Sequence, residues 1–319
     1  MCDMPDCFVG FDTSNYTTSA AVTDAQGTVI ANLKIPLPVA AGERGLRQSD
    51  AVFAHTKNLP LLCEQLREYT KGMRVRAVGV SVTPRDAQDS YMPCFLAGKA
   101  AASAYASALP CELFHFSHQS GHIRAAVYAS GREAELLHTP FYAFHVSGGT
   151  TEVLFVTPET DGFRMELIGG TDDINAGQAI DRVGVRLGFA FPCGKAMEEA
   201  AARYEGKIPK AHIHVNGCRC NLSGLENLAD KLFCQTGNKE LVCAYVLDFV
   251  GETLRVLTLG AVATHGAHPV LYAGGVMSNQ RMRVSLTKGI DACFAQPAYA
   301  ADNAAGIALL CRDRYLTIH

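Results

Sequence analysis

A chain of 319 residues, 48% of them apolar, can fill two cores of ordinary domain size. Its formal charge of -3, with acids and bases interspersed, leaves no basic face of the kind that grips nucleic acid unaided; Arg74 and Arg76, or Arg203, Lys207 and Lys210, read as solvated surface. No apolar run reaches the roughly 20 residues that span a bilayer, and no secretory leader pattern is present. The 12 cysteines are therefore expected as reduced thiols in a soluble cytoplasmic protein, with neither membrane nor DNA as a partner.

Cys7 to Val22 reads as strand, polar turn, strand. Phe8, Val9 and Phe11 lead into Asp12-Thr13-Ser14-Asn15-Tyr16-Thr17-Thr18-Ser19, whose hydroxyls are expected to face outward, and Ala20-Ala21-Val22 follows. An Ala-rich helix is expected from Ala97 to Leu109, stopped by Pro110. The hairpin design recurs at Phe141 to Val156, around Ser147-Gly148-Gly149-Thr150-Thr151-Glu152. One such hairpin near the start of each half suggests two similar lobes. Helical periodicity covers Asn175 to Leu187 and Lys195 to Tyr204, either side of Phe191-Pro192-Cys193-Gly194. Cys243 to Ala263 reads as a long apolar helix inside a lobe. Pro269 to Ala273 reads as a buried strand ended by Gly274-Gly275, with Val276-Met277-Ser278-Asn279 opening a helix. Alternating strands and helices make the chain α/β. Gly-rich or polar turns after strands in both halves suggest a phosphate cleft between the lobes, since glycine lets backbone approach a ligand and a helix N-terminus favours anions.

His118-Gln119-Ser120-Gly121-His122 places two imidazoles at i and i+4, on one face if the segment is helical, which is metal-ligand spacing. A peptidase of the His-Glu-x-x-His type needs a glutamate after the first histidine; Gln119 cannot serve as that base. A second cluster, His212-Ile213-His214-Val215-Asn216-Gly217-Cys218-Arg219-Cys220, is expected to be a hairpin turning at Asn216-Gly217 and pairing Val215 with Cys218. Its thiols and imidazoles then point to opposite faces, so ordinary thiols and no zinc are expected. Ala301-Asp302-Asn303-Ala304-Ala305-Gly306-Ile307 opens the last helix; Asp302 would cap it, or complete a His-His-Asp metal site with positions open for substrate.

Taken together and in order, these segments resemble the TsaD (formerly Gcp, O-sialoglycoprotease) family, tRNA adenosine threonylcarbamoyltransferases. The resemblance is carried by His118 and His122, by Val146-Ser147-Gly148-Gly149, and by Asp172-Asp173 with Ala176-Gly177 and Ala179-Ile180-Asp181. Pro192-Cys193-Gly194 with Glu198, Ser223-Gly224-Leu225, Gly274-Gly275-Val276 with Asn279, and Asp302-Asn303-Ala304-Ala305 complete it. It implies an actin-like ATPase (ASKHA, Hsp70/hexokinase-like) fold with a cleft between two lobes. The lobes are expected at residues 1–138, with the final helix 303–319 packed there, and 139–302. It implies one divalent metal, iron or zinc, on His118, His122 and Asp302. Adenine nucleotide or threonylcarbamoyl-AMP would lie against Val146, Ser147, Gly148, Gly149, Thr150, Asp181, Gly194, Glu198, Gly274, Gly275 and Asn279, with Asp12, Thr13 and Ser14 forming the first-lobe loop. Implied partners are tRNA and TsaB-like and TsaE-like proteins.

His145 occupies the place of a tyrosine metal ligand in the archaeal and eukaryotic branch, which makes it a further metal candidate; His55 also matches a family histidine, without a role. Departures are equally specific. Asn15-Tyr16-Thr17-Thr18 replaces the bacterial Cys-Asp-Glu-Thr, Thr83 to Pro93 replaces a Gly-Pro-Gly loop, and Thr150 stands in place of a histidine. They leave an alternative open, a divergent relative that binds nucleotide, metal or partner proteins without the transfer activity.

Overall fold

The computed structural model describes residues 4–14, 16–38, 46–300 and 303–319. The chain divides into two compact units, Met1–Ala129 with Pro158–Arg164 and Ala301–His319, and Ser130–Thr157 with Met165–Ala300.

In unit 1, β1 (Asp6–Ser14), β2 (Thr17–Asp24) and β3 (Val29–Pro36) form an antiparallel meander, followed by α1 (Gln48–Thr70), β4 (Arg74–Thr83), α2 (Phe95–Ser107), β5 (Glu112–Ser117) and α3 (His118–Tyr128). The sheet order is β3-β2-β1-β4-β5, with β4 parallel to both β1 and β5. Strand β1 is apolar on both faces because both are covered. Cys7, Val9 and Phe11 pack with Leu59, Leu62 and Leu66 of α1 and with Ala102 and Ala106 of α2.

The opposite face of β1 receives the last helix of the chain, α10 (Ala305–Ile318). Unit 2 contains the elements that come between. It holds α4 (Glu133–Leu136), β6 (Phe141–Val146), most of β7 (Thr151–Glu159) and β8 (Gly162–Thr171), then α5 (Ala176–Arg186) and α6 (Gly194–Ala201). The hairpin β9 (Val215–Asn216) and β10 (Arg219–Cys220) follows, with α7 (Gly224–Thr236), α8 (Lys239–His265), β11 (Val270–Ala273), α9 (Gln280–Leu286) and β12 (Ala292–Phe294); α10 (Ala305–Ile318) returns to unit 1. Phe8 meets Tyr315 of α10 with ring centroids 5.4 Å apart. A Cβ on Gly10 would fall 2.4 Å from the amide nitrogen of Ala308, so only glycine lets the helix lie this close to the strand.

The unit 2 sheet runs β12-β11-β6-β7-β8-β10-β9. Its stretch β8-β7-β6-β11-β12 repeats the order of the first sheet, again with an antiparallel first hairpin and two parallel neighbours. Tyr142, Phe144 and Val146 pack in one core with α5, α6 and α8. Helix α8 is longer than its apolar run, because Asn238 caps it by accepting the Leu241 amide at 2.8 Å.

Three expectations change. The polar run after Phe11 is not an outward-facing turn: Asp12, Thr13, Ser14, Thr18 and Ser19 are buried and paired in the β1–β2 ladder, with Ser14 opposite Thr17. Burial is tolerated where hydroxyls find partners; Thr13 Oγ1 donates to Cys94 O at 3.1 Å, and Ser19 Oγ to Asp12 O at 3.1 Å. The second hairpin turns at Gly217-Cys218, pairing Asn216 with Arg219 and Val215 with Cys220. Gly217 at φ +58 supplies the one positive φ of a type II′ turn, and Cys218 O accepts the Gly170 amide at 2.8 Å, which ties this turn to the end of β8. After β11, Gly275–Ser278 forms a 3₁₀ turn, and Asn279 starts a separate helix by accepting the Met282 amide at 3.0 Å.

Candidate functional site

In unit 1, β5 ends at Ser117, whose hydroxyl accepts the Ser120 amide at 3.0 Å and so starts α3 at His118. The i, i+4 spacing then brings the His118 and His122 rings together, 4.3 Å between centroids and nearly perpendicular. Asp12, 1% exposed, accepts a 2.7 Å hydrogen bond from His118 Nδ1 on its Oδ2, and the Ser14 amide at 2.8 Å on Oδ1. A carboxylate that holds Nδ1 directs Nε2 to a ligand, the arrangement found behind metal-bound histidines. Thr13 Oγ1 also accepts the Gly98 amide at 3.1 Å, tying the loop to α2. Ser14 Oγ is buried and meets no hydrogen-bond partner among the described residues.

His55, without an assigned role, lies fully buried in α1. Asn58 Nδ2 donates to Thr18 Oγ1 at 3.0 Å, and the same hydroxyl is hydrogen-bonded to His55 Nδ1 at 2.8 Å. Burial pushes the imidazole pKa below its usual value.

The remaining metal candidates are Asp302 and His145. Asp302 lies outside the described residues. Its neighbour Asn303 accepts the Ala305 amide at 3.1 Å at the start of α10. His145 sits in unit 2, half-buried on β6 opposite Glu152. Among the described residues no three His, Cys, Asp or Glu side chains converge. His212 and His214 are exposed while Ile213 and Val215 are half-buried; Cys220 is buried as a free thiol, and burial raises its pKa to about 11.

In unit 2 most of the expected nucleotide residues form one linked set. The hairpin at 147–150 closes with the Ser147 amide on Thr150 O at 2.8 Å. Ser147 Oγ accepts the amides of Gly149 (3.2 Å) and Thr150 (3.1 Å), so the loop's own serine occupies two of the donors expected for phosphate. Helix α5 abuts the loop: Gly177 N donates to Ser147 O at 3.1 Å, and a Cβ on Gly177 would lie 2.7 Å from Gly148 Cα. Gly274, at φ +101, lies against Val146 O, 2.2 Å from where a Cβ would stand. By contrast a Cβ on Gly148, Gly149, Gly194 or Gly275 would meet nothing within 4 Å; at these positions the glycines leave room.

The acids of this set hold helix starts. Asp181 Oδ1 accepts the Cys193 amide at 2.7 Å before α6, and Glu198 accepts the Gln280 amide at 2.6 Å at the start of α9. A separate groove of about 930 Å³, between residues 208–213, α8 and α9, includes Gln280 but none of the expected ligand residues.

Two acids were given no role from the sequence. Burial alone would raise the Asp173 pKa, but bonds from Leu222 N, Ser223 Oγ, Ser223 N and Ile174 N hold it well below the usual carboxylate range. Asp86 accepts both the Ser117 and Ser120 hydroxyls, at 2.8 and 2.7 Å. Asp173 stood in the sequence only as part of the Asp172-Asp173 motif, and Asp86 has no local signal, since its partners lie 31 and 34 positions away.

Two units of repeated strand order, each opening on a hairpin with a polar or glycine-rich tip, have the actin-like ATPase fold. Solved structures agree at the level of fold: T. kodakarensis HypF has a TM-score of 0.61 at 14% identity over 98% of this chain and 48% of its own. A ROK-family glucokinase from Streptomyces griseus gives 0.52 at 12% identity over 96% and 98%.

The family model of TsaD, tRNA N6-adenosine threonylcarbamoyltransferase, matches residues 50–309, and the chain belongs to this family. Proteins of that name are similar in sequence, from Pediococcus pentosaceus (27% identity over 92% of this chain and 84% of the relative) and Streptococcus mutans (31% over 69% and 66%). The relative from Desulfotalea psychrophila is 34% identical over 56% of each chain. Several matches thus span only about half to two thirds of the relative's length. Among the described residues no helix is long and apolar enough to cross a membrane.

Proposed function

We propose that this chain transfers a threonylcarbamoyl group from threonylcarbamoyl-AMP to the exocyclic amine of the tRNA adenosine beside the anticodon, in the cytoplasm. The observation that carries the reading is the His118–His122 pair with Asp12 behind it, in a chain of this family. His118, His122 and Asp302, with His145 as a further candidate, would hold one iron or zinc ion. When bound, that ion supplies a Lewis acid that polarises the carbamoyl carbonyl.

In the reaction the amine nitrogen bonds to the carbamoyl carbon, the bond from that carbon to the phosphate oxygen breaks, and the amine loses a proton. The chain's own residues would bind and orient the donor. The open faces of Gly148, Gly149, Gly194 and Gly275 let nucleotide approach the backbone. The α5 N-terminus beside the 147–150 loop favours the phosphate, with Val146, Thr150, Gly274 and Asn279 framing it. Asp181 and Glu198 keep the starts of α6 and α9 in place for the adenosine part. The near-neutral charge favours tRNA binding shared with TsaB-like and TsaE-like partners.

The test is transfer itself: purified chain, partner proteins, threonylcarbamoyl-AMP and unmodified tRNA, with the modified nucleoside read by mass spectrometry. Modified tRNA with wild type and none with His118→Ala supports the reading. A folded protein that binds nucleotide yet yields no modified nucleoside, in this assay and in cells lacking their own enzyme, favours the divergent relative suggested by the altered 15–18 and 83–93 segments.

A further inference from the structure

The segment Thr83–Pro93 is fastened to the first turn of α3. Pro84 O accepts the Gln119 amide at 3.0 Å, and Asp86 Oδ2 takes the hydroxyls of Ser117 and Ser120. The loop also closes on itself, through Arg85 N to Ser90 Oγ at 3.0 Å and Ser90 N to Ala87 O at 3.0 Å. A helix leaves its first amides without internal partners and carries a partial positive charge at that end. Here two of those amides are taken by the loop and by the N-cap serine, and a carboxylate faces the positive end.

His118 is the first residue of α3, the position most prone to fray, whereas His122 lies a full turn inside. The separation of the two imidazoles therefore depends on the first turn staying wound. Asp12 holds the ring of His118, but the backbone on both sides of it is held through Ser117 and through Gln119 and Ser120.

We propose that Asp86 is a positioning residue: it clamps the 83–93 loop onto the start of α3 and so sets the His118–His122 pair for a divalent cation. This rests on the reading of that pair as metal ligands. Asp86 is itself exposed, so its replacement leaves the core intact.

The probe is Co²⁺ alone, titrated into metal-free protein and followed by its visible absorption, together with hydrogen exchange of residues 117–122. Asp86→Ala is expected to weaken Co²⁺ binding about 10-fold, the low end for loss of a supporting partner, to alter the Co²⁺ spectrum, and to speed exchange at 118–120. Asp86→Asn keeps an acceptor oxygen and is expected to recover most of the affinity. Ser117→Ala/Ser120→Ala is expected to match Asp86→Ala, and combining all three to add little further. Affinity, spectrum and exchange all unchanged in Asp86→Ala would overturn the proposal. Wild type that binds no Co²⁺ would overturn the metal reading; faster exchange in Asp86→Ala would then still carry the clamp, and unchanged exchange would overturn that too.

Discussion

Gly306 is the second residue of α10, where that helix crosses α3. A Cβ at this position would stand 1.8 Å from Gly121 O and 2.9 Å from Ala125 N, both backbone atoms of α3. Such contacts do not occur below 3.0 Å, so in Gly306→Ala the helices must part by about 1.2 Å. The widened gap would run beside Ile123, Ile307 and Leu310, all within 4% of full burial. It would also strain the 2.7 Å bond from Arg124, itself buried, to Asp313. Alanine's helix preference returns up to about 1 kcal/mol, while overpacking costs about 1–3 kcal/mol and occasionally more. We expect a net loss of about 2 kcal/mol, and weaker metal binding because α3 carries His118 and His122. Gly251→Ala, inside α8, is the control: its Cβ would meet nothing closer than 3.5 Å, and a gain of about 0.5–1 kcal/mol is expected. Urea unfolding of both variants beside wild type measures the difference. A Gly306→Ala midpoint at or above wild type, with unchanged m value, would refute the reasoning.

Asp12→Asn is expected to lower metal affinity about 10- to 100-fold, the usual cost of losing the carboxylate behind a ligating histidine; metal analysis after dialysis reads this. Asp173→Ala removes the acceptor of bonds from Ile174 N, Leu222 N, Ser223 N and Ser223 Oγ, and a loss of about 1–2 kcal/mol is expected after discounting for its exposure. Because the folded Asp173 pKa is depressed, its contribution is present above the unfolded value near 3.8 and lost as pH falls through the folded value. Wild type should therefore lose its advantage over Asp173→Ala only in strong acid, which acid unfolding curves would show. His55 is held neutral by burial, so its stabilising contribution is full above about pH 6.5 and declines as pH falls toward its lower folded pKa. The stability difference between wild type and His55→Gln should shrink from pH 7 to pH 5; a difference constant across that range would contradict this.

What the sequence determined by itself was local. Apolar runs broken by Gly, Pro and Asn placed the hairpins at the start of each unit, the long helix α8 and the strand β11, because periodicity and turn chemistry act between near neighbours. The i, i+4 spacing was enough to put His118 and His122 together, since a single helix does the work. Tertiary structure decided everything that joined distant segments. The bond from His118 to Asp12 spans 106 positions, and Thr13 reaches 85 positions to Gly98. It was burial under these partners that turned a polar run from an outward turn into a paired strand. The tie between Cys218 and Gly170 accompanies a hairpin turn one residue later than dipeptide preference suggested. Asp86 looked like one more acid in a polar loop until folding brought Ser117 and Ser120 to it. A hydrogen bond depends on where two groups meet, and the sequence records only what the groups are.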